Sequence, residues 1–374
     1  MRLPPPSRSL PLAVLLLAAP LVASGQASDA IYSRTNALSG FEYRGYTFGP
    51  GIGVNSIKQW DIPLVFVAPL GRAMSVDLTS HVTHSSVDGL GGAHSLSGLS
   101  DTELRLLYTI SRDRLVTSLS LNLPTGHRSV SDSQFPVAEA IGSNYLSFPV
   151  ANTGTSFGAT GGLAYAAVAG SWHLGLAGAL RYLGSYQPFS DQATSYKPGV
   201  ESRLRAGADR LLGGSSRMLL GLTFSTFSTD TYSGASTGSY SPGARLIGDF
   251  AVLHVVGRST VTFAAWDYYR QAGATDTGAV TASKENVLNA ELRVAQSVSP
   301  RVQIEPFLGL RQWSPANYRG GRLYSGGLAA HYAVNDQLSA HLTARLDHGW
   351  IYLPAAGRGD VTGTGLTVLL RYQH

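Results

Sequence analysis

TELRLLYTI at residues 102–110, SRDR at 111–114 and LVTSLSLNL at 115–123 form two runs of period two, back to back across a short charged turn. In the first run Thr102, Leu104, Leu106, Tyr108 and Ile110 share one face, and Glu103, Arg105 and Thr109 share the other with Leu107 among them. In the second, Leu115, Thr117, Leu119, Leu121 and Leu123 oppose Val116, Ser118, Ser120 and Asn122. Such a hairpin belongs either to the wall of a soluble sandwich or to the wall of a membrane barrel. A tilted membrane-spanning strand needs roughly 9–11 residues, against roughly 5–6 for a soluble strand. Both runs have the longer length, which points to the barrel.

Composition agrees. Charged residues make up 14% of the 374-residue chain, against about 25% in soluble domains, while hydrophobic residues reach 44%. Something other than water therefore covers part of the surface. Arg2 and Arg8, an apolar run at residues 10–22 broken by Pro11 and Pro20, and small residues near Gly25 and Ala27 read as a secretory signal over residues 1–27. The barrel is then residues 28–374. No later stretch has the roughly 18 consecutive apolar residues of a spanning helix, so membrane residence requires strands. The chain has no cysteine, and its +5 formal charge comes from basic residues scattered singly, which argues against a nucleic-acid partner.

Alternation recurs along the chain. Strands are expected near residues 54–67, 74–83, 156–168, 172–183, 199–211, 217–228, 244–256, 260–269, 285–297, 302–313, 323–334, 338–348 and 363–372. Residues 31–48 read as a first strand or as a segment tucked inside. The spacing predicts an all-β, antiparallel transmembrane β-barrel of about 14–16 strands in the bacterial outer membrane. Short periplasmic turns alternate strictly with long extracellular loops, the latter including residues 84–97, 125–153, 229–240, 271–284, 314–321 and 349–360. A soluble sandwich or propeller is the structural alternative. The chain closes with Leu366, Val368, Leu370, Tyr372 and His374 on one face. This is similar to the C-terminal assembly signal of outer-membrane proteins, with His374 in place of the usual phenylalanine, and names the barrel-assembly machinery as a partner alongside membrane lipid.

Gly98-Leu99-Ser100-Asp101 opening one strand and Leu121-Asn122-Leu123-Pro124-Thr125-Gly126 closing the next resemble the outer-membrane family named after the meta-pathway of phenol degradation. Ser100 stands where that pattern has a second glycine. The resemblance covers about thirty residues and implies a transport-type barrel for small, often aromatic or apolar compounds, with no catalytic residues.

Inward positions predicted to line a pore are Glu103, Arg105, Arg181, Glu201, Arg203, Arg205, Asp249, Glu291, Arg293, Glu305 and Arg311, with Arg245, Arg345 and Asp347 on similar faces. They form either a selectivity lining or a network of paired charges that stiffens the wall. Candidates for a greasy relay are Leu107, Phe307 and Leu369, with Phe135, Tyr145 and Phe148 in the longest loop. The expected role is a channel for small-molecule solutes, narrowed by residues 125–153, with Arg105, Arg203, Arg205 and Arg293 biasing what passes. A structural barrel with a plugged lumen is the alternative. A third reading, an outer-membrane hydrolase, would draw on Asp77, His81, His84 and Asp347-His348; Asp77 and His81 share a face but lie too far apart to hydrogen-bond. No cofactor is expected, nor a metal, since His81 and His84 fall on opposite faces.

Overall fold

The computed structural model describes residues 34–374 apart from 90, 112–113, 236, 277–279, 317–318 and 354–356. The secretory segment expected at residues 1–27 lies outside the described residues. The wall begins with β1 (Asn36–Phe48), β2 (Val54–Pro69), β3 (Met74–Gly89), β4 (Gly92–Leu99), β5 (Thr102–Ser111) and β6 (Leu115–Leu123). A short helix, α1 (Phe135–Ile141), lies in the connection to β7 (Gly158–Ala169) and β8 (Trp172–Leu183). Next come β9 (Thr194–Lys197), β10 (Glu201–Leu212), β11 (Ser216–Phe227), β12 (Asp230–Gly234), β13 (Gly238–Ser241), β14 (Arg245–Val256) and β15 (Ser259–Arg270). The chain ends with β16 (Gly273–Thr275), β17 (Val280–Ala282), β18 (Glu285–Ser297), β19 (Val302–Pro315), β20 (Gly321–Ala333), β21 (Leu338–Leu353) and β22 (Gly357–Gln373).

Every wall pairing is antiparallel, and β1 pairs with both β2 and β22, which closes the sheet. Strands β4 and β5 pair with successive halves of β3 and count as one, so the barrel has sixteen strands. Residues 36–48 are therefore a wall strand and not an internal segment. A separate five-stranded sheet, ordered β17-β16-β13-β12-β9, is built from the connections that follow β8, β11 and β15. Its strands occupy stretches expected to be plain loops.

Register fixes which side chains face out. Leu104 opposes Leu121 and Leu106 opposes Leu119, while Arg105 opposes Ser120 and Leu107 opposes Ser118, as the hairpin's alternation requires. Outward leucines have no protein cover: Leu176 is 61% exposed, Leu308 67% and Leu346 67%. Each such side chain left in water would forgo about 1.5–3 kcal/mol of burial, so a belt of them over a closed sheet demands lipid. Tyr108, Tyr165, Tyr182, Tyr324 and Tyr332 join the same outward face, as tyrosines do at the two membrane interfaces. At the C-terminus Tyr372 and His374 stack in parallel, their rings 6.5 Å apart. The protein is a membrane-spanning β-barrel.

The strict alternation of long and short connections does not hold. β3 and β4 continue through the expected loop at 84–97 as a hairpin, and β21 and β22 run through most of 349–360. These strands project beyond the lipid, where the pattern inverts: apolar Ile57, Val87, Leu96, Leu323, Ile351 and Val361 now point inward and are buried. Leu119→Arg puts a charge against lipid and should cost about 2–4 kcal/mol if that residue lies near the midplane, whereas Ser118→Arg, facing inward, should assemble normally. Equal loss of the folded, heat-modifiable band in both variants would contradict this register.

Candidate functional site: the lumen and its inward-folded loop

What buries those inverted apolar residues is the chain between β6 and β7. Val137, Tyr145 and Leu146 from this connection join Tyr46, Ile57, Val87, Leu96, Leu323, Ile351 and Val361 in one cluster inside the loop end of the barrel. Polar contacts fix the seating. The buried Gln59 amide donates to the Val150 carbonyl oxygen (2.8 Å) and accepts from the Val150 N–H (2.9 Å). The Tyr145 hydroxyl donates to the Trp350 carbonyl oxygen (2.8 Å), and its ring lies 5.6 Å from that of Trp313. Burial pushes the Tyr145 hydroxyl far above its ordinary pKa, so it remains a neutral donor. Tyr46 Oη accepts from the Ser147 N–H (3.3 Å), and Asn144 donates to Glu285 (2.6 Å).

Asp101 holds both legs of this connection. Its Oδ1 accepts from the Gly126 N–H (3.2 Å) on the outgoing leg. Its Oδ2 accepts from the Thr155 N–H (2.7 Å) and hydroxyl (2.8 Å) on the returning leg and from Asn122 Nδ2 (2.8 Å) on β6. The Thr125 hydroxyl donates to the Ser100 carbonyl oxygen (2.9 Å). The legs pass so closely that a Cβ at Gly126 would lie 1.9 Å from the Thr153 carbonyl oxygen. The two sequence stretches quoted for the family resemblance thus meet at one clamp, where the wall breaks between β4 and β5.

Below the clamp the inward charges are mostly paired. Arg105 Nε donates to Asp77 Oδ2 (2.8 Å), and Arg203 donates to Glu201 (2.7 and 3.2 Å). Arg205 reaches Asp249 (2.8 Å) and Thr223 Oγ1 (2.7 Å). Arg293 binds Glu291 and also Glu305 (2.7 Å), and Arg345 binds Asp347 (2.8 Å) and lies 3.5 Å from Glu291. Arg44, on a strand sequence reasoning had left ambiguous, adds a contact to Asp347 (3.2 Å). Arg245 packs over the Phe227 ring at 4.6 Å. Three predicted residues differ from this pattern, the first being Glu103, which accepts from the Ser120 hydroxyl (3.1 Å). Arg311, 8% exposed, reaches Asn289 Oδ1 (3.2 Å), the Tyr145 carbonyl oxygen (3.3 Å) and the Trp266 ring (5.4 Å), and so holds the loop. Arg181 has only a 3.9 Å approach to Glu201.

A cavity of about 310 Å³ lies under the returning leg, between Glu103 on β5 and Arg181 on β8, with His81, Ser100, Asp101 and Asn122 in its walls. Beside it, Asp77, Thr79, Glu103 and Arg105 line a second space of about 190 Å³. His81 points inward as expected, but its partner is the fully buried Asp61 (Nδ1 to Oδ2, 2.9 Å), which the sequence analysis did not single out. His84 faces out and stacks on Trp60, 5.8 Å between centroids. His348 lies one residue from inward Asp347 and so faces out. Phe307 is 4% exposed and flanked by the guanidiniums of Arg293 (4.9 Å) and Arg345 (5.8 Å), and Leu369 is 2% exposed; neither offers a bare apolar step.

No protein-family model matches the chain, and no curated protein matches it. Among solved structures it is similar to a Pseudomonas aeruginosa FadL homologue, at 9% identity over 91% of this chain and 90% of that one, TM-score 0.48. It is also similar to the monoaromatic hydrocarbon channel CymD, at 11% identity over 94% and 91% of the two chains, TM-score 0.45. An anion-selective porin from Comamonas acidovorans aligns at 10% identity over 91% and 98%, TM-score 0.43.

Asp101→Ala removes one carboxylate from four donors and should weaken the loop's seating by about 3 kcal/mol. Limited proteolysis should then cut within residues 127–153 while the barrel stays folded by gel mobility. A protease-resistant loop in this variant would contradict the clamp.

Proposed function

We propose that this protein is an outer-membrane channel for small solutes whose lumen is narrowed by residues 124–157. The observation that carries the reading is a sixteen-strand barrel with a polar, charged interior and an ordered connection folded into one end, leaving polar space between that connection and the wall of β5 to β8. A purely mechanical wall has no need of such space beside weakly held charges. The pore-lining role of Glu103, Arg181, Arg203 and Arg205 follows from their inward faces on either side of it.

The resemblance over residues 98–126 favours small aromatic or apolar cargo. The burial of Phe307 and Leu369 speaks for polar solutes instead, because an apolar solute needs a continuous greasy track. The second reading, a structural barrel closed by its loop, draws on the bonds between Gln59 and Val150 and between Arg311 and Tyr145.

Planar-bilayer recording separates the two. The native chain should show small, resolvable conductance steps, and a chain in which residues 128–152 are replaced by a short Gly-Ser link should show steps several-fold larger. Closed bilayers from both would favour the structural reading.

A further inference from the structure

The interior is electrically lopsided. On β1, β2, β3 and β5 the inward carboxylates Glu42, Asp61, Asp77 and Glu103, joined by Asp101 in the link between β4 and β5, face two arginines, Arg44 and Arg105, and Arg44 is engaged by Asp347 on β21. Buried Asp61 Oδ1 and Asp77 Oδ1 have no hydrogen-bond partner among the described residues. On β8, β10, β11 and β14 the balance reverses, with Arg181, Arg203, Arg205, Arg217 and Arg245 against Glu201, Asp209 and Asp249. Between these two walls stand β6 and β7, whose inward residues are small and neutral, among them Ser118, Ser120, Asn122 and Thr160. The 310 Å³ cavity bridges this neutral strip and touches the acidic wall through Glu103 and the basic wall through Arg181.

The two end groups are also among the least committed charges of the interior. Arg181 stands 3.9 Å from Glu201, whose other oxygen is taken by Arg203 at 2.7 Å. Glu103 accepts one hydroxyl, that of Ser120, at 3.1 Å. Asp101, by contrast, is saturated by four donors of the clamp. Among the described residues His81 supplies the one aromatic ring in the cavity's lining, so an aromatic solute there has little to stack on.

We propose that this chamber is a binding site for a small zwitterion, its ammonium end at Glu103 and its carboxylate end at Arg181. Three strand spacings put β5 and β8 about 14 Å apart, and the inward reach of the two side chains shortens the gap, so the solute's charges are separated by several bonds. Opposite charges at the two ends orient such a solute, while a neutral molecule of equal length meets only hydroxyls and amides. The field also disfavours singly charged solutes, each of which meets one wall of its own sign.

The inference rests on the channel reading for its transport role, but binding tests it independently. Calorimetry on the purified protein in detergent would use 6-aminohexanoate as zwitterion, 1,6-hexanediol as a neutral molecule of the same length and phenol as the aromatic probe. The native chain should bind 6-aminohexanoate at least tenfold more tightly than the diol. Glu103→Gln and Arg181→Gln, both at solvent-accessible positions, should each lose at least fivefold in that affinity while keeping folded gel mobility. Equal affinity for diol and zwitterion, tighter binding of phenol, no binding of any probe, or unchanged affinity in both variants would overturn the proposal. Parallel bilayer recordings tell the two ideas apart: conductance without zwitterion binding leaves the channel and removes this site, and zwitterion binding in closed bilayers leaves the site and removes the channel.

Discussion

A peptide group in the hydrocarbon of a membrane has no water to turn to, and the pairing of β1 with β22 is how this chain meets that constraint. Once the sheet closes, no edge remains, and every residue must face either lipid or lumen. Lipid takes the leucines. Polar and charged side chains are driven inward, where isolated charges would be expensive, so they pair: Arg105 with Asp77, Arg205 with Asp249, Arg293 with Glu291 and Glu305.

The same constraint explains the loop end. Beyond the lipid the outside of β3, β4, β21 and β22 meets water, and the inside meets the connection between β6 and β7. Polarity therefore reverses along a single strand. Val87, Leu96, Ile351 and Val361 belong to the inner face by register and would be out of place there without the loop that covers them. The loop in turn depends on Asp101, which gathers Gly126 and Thr155 at its base. Wall and loop hold each other in place.

Much of this was legible in the sequence, for a physical reason. Period-two alternation over ten or more residues has one interpretation when the apolar face is continuous, so the hairpin at 102–123 fixed faces, register and barrel class together. The same signal failed at 84–97, where inversion beyond the lipid leaves mainly Ser, His, Asp and Gly between sparse apolar residues, and at 349–360, where Trp350 and Tyr352 on one face and Ile351 and Leu353 on the other erase the alternation. The inward charges were also readable from parity, but their partners were not: Arg44 with Asp347 and Asp61 with His81 join strands by contacts that no local pattern encodes. Asp101 and Gly126 stood in plain view as parts of a resemblance, yet their role emerges only when the two stretches are brought together in space. The separate five-stranded sheet had no readable signal, being built of three- to five-residue strands below the length at which alternation can be distinguished from chance.

The connection between β6 and β7 resides inside the barrel, and hydrogen exchange can read that placement amide by amide. The Val150 N–H is bonded to buried Gln59, and Val137 and Ile141 are 0% and 1% exposed. In the native, membrane-embedded protein the amides of residues 137–150 should therefore exchange as slowly as those of the neighbouring wall strands, and far more slowly than those of the exposed turn at Gly213-Gly214. Exchange of residues 137–150 at the rate of that turn would mean that the loop spends its time outside the lumen and that the Gln59 and Arg311 contacts do not hold it.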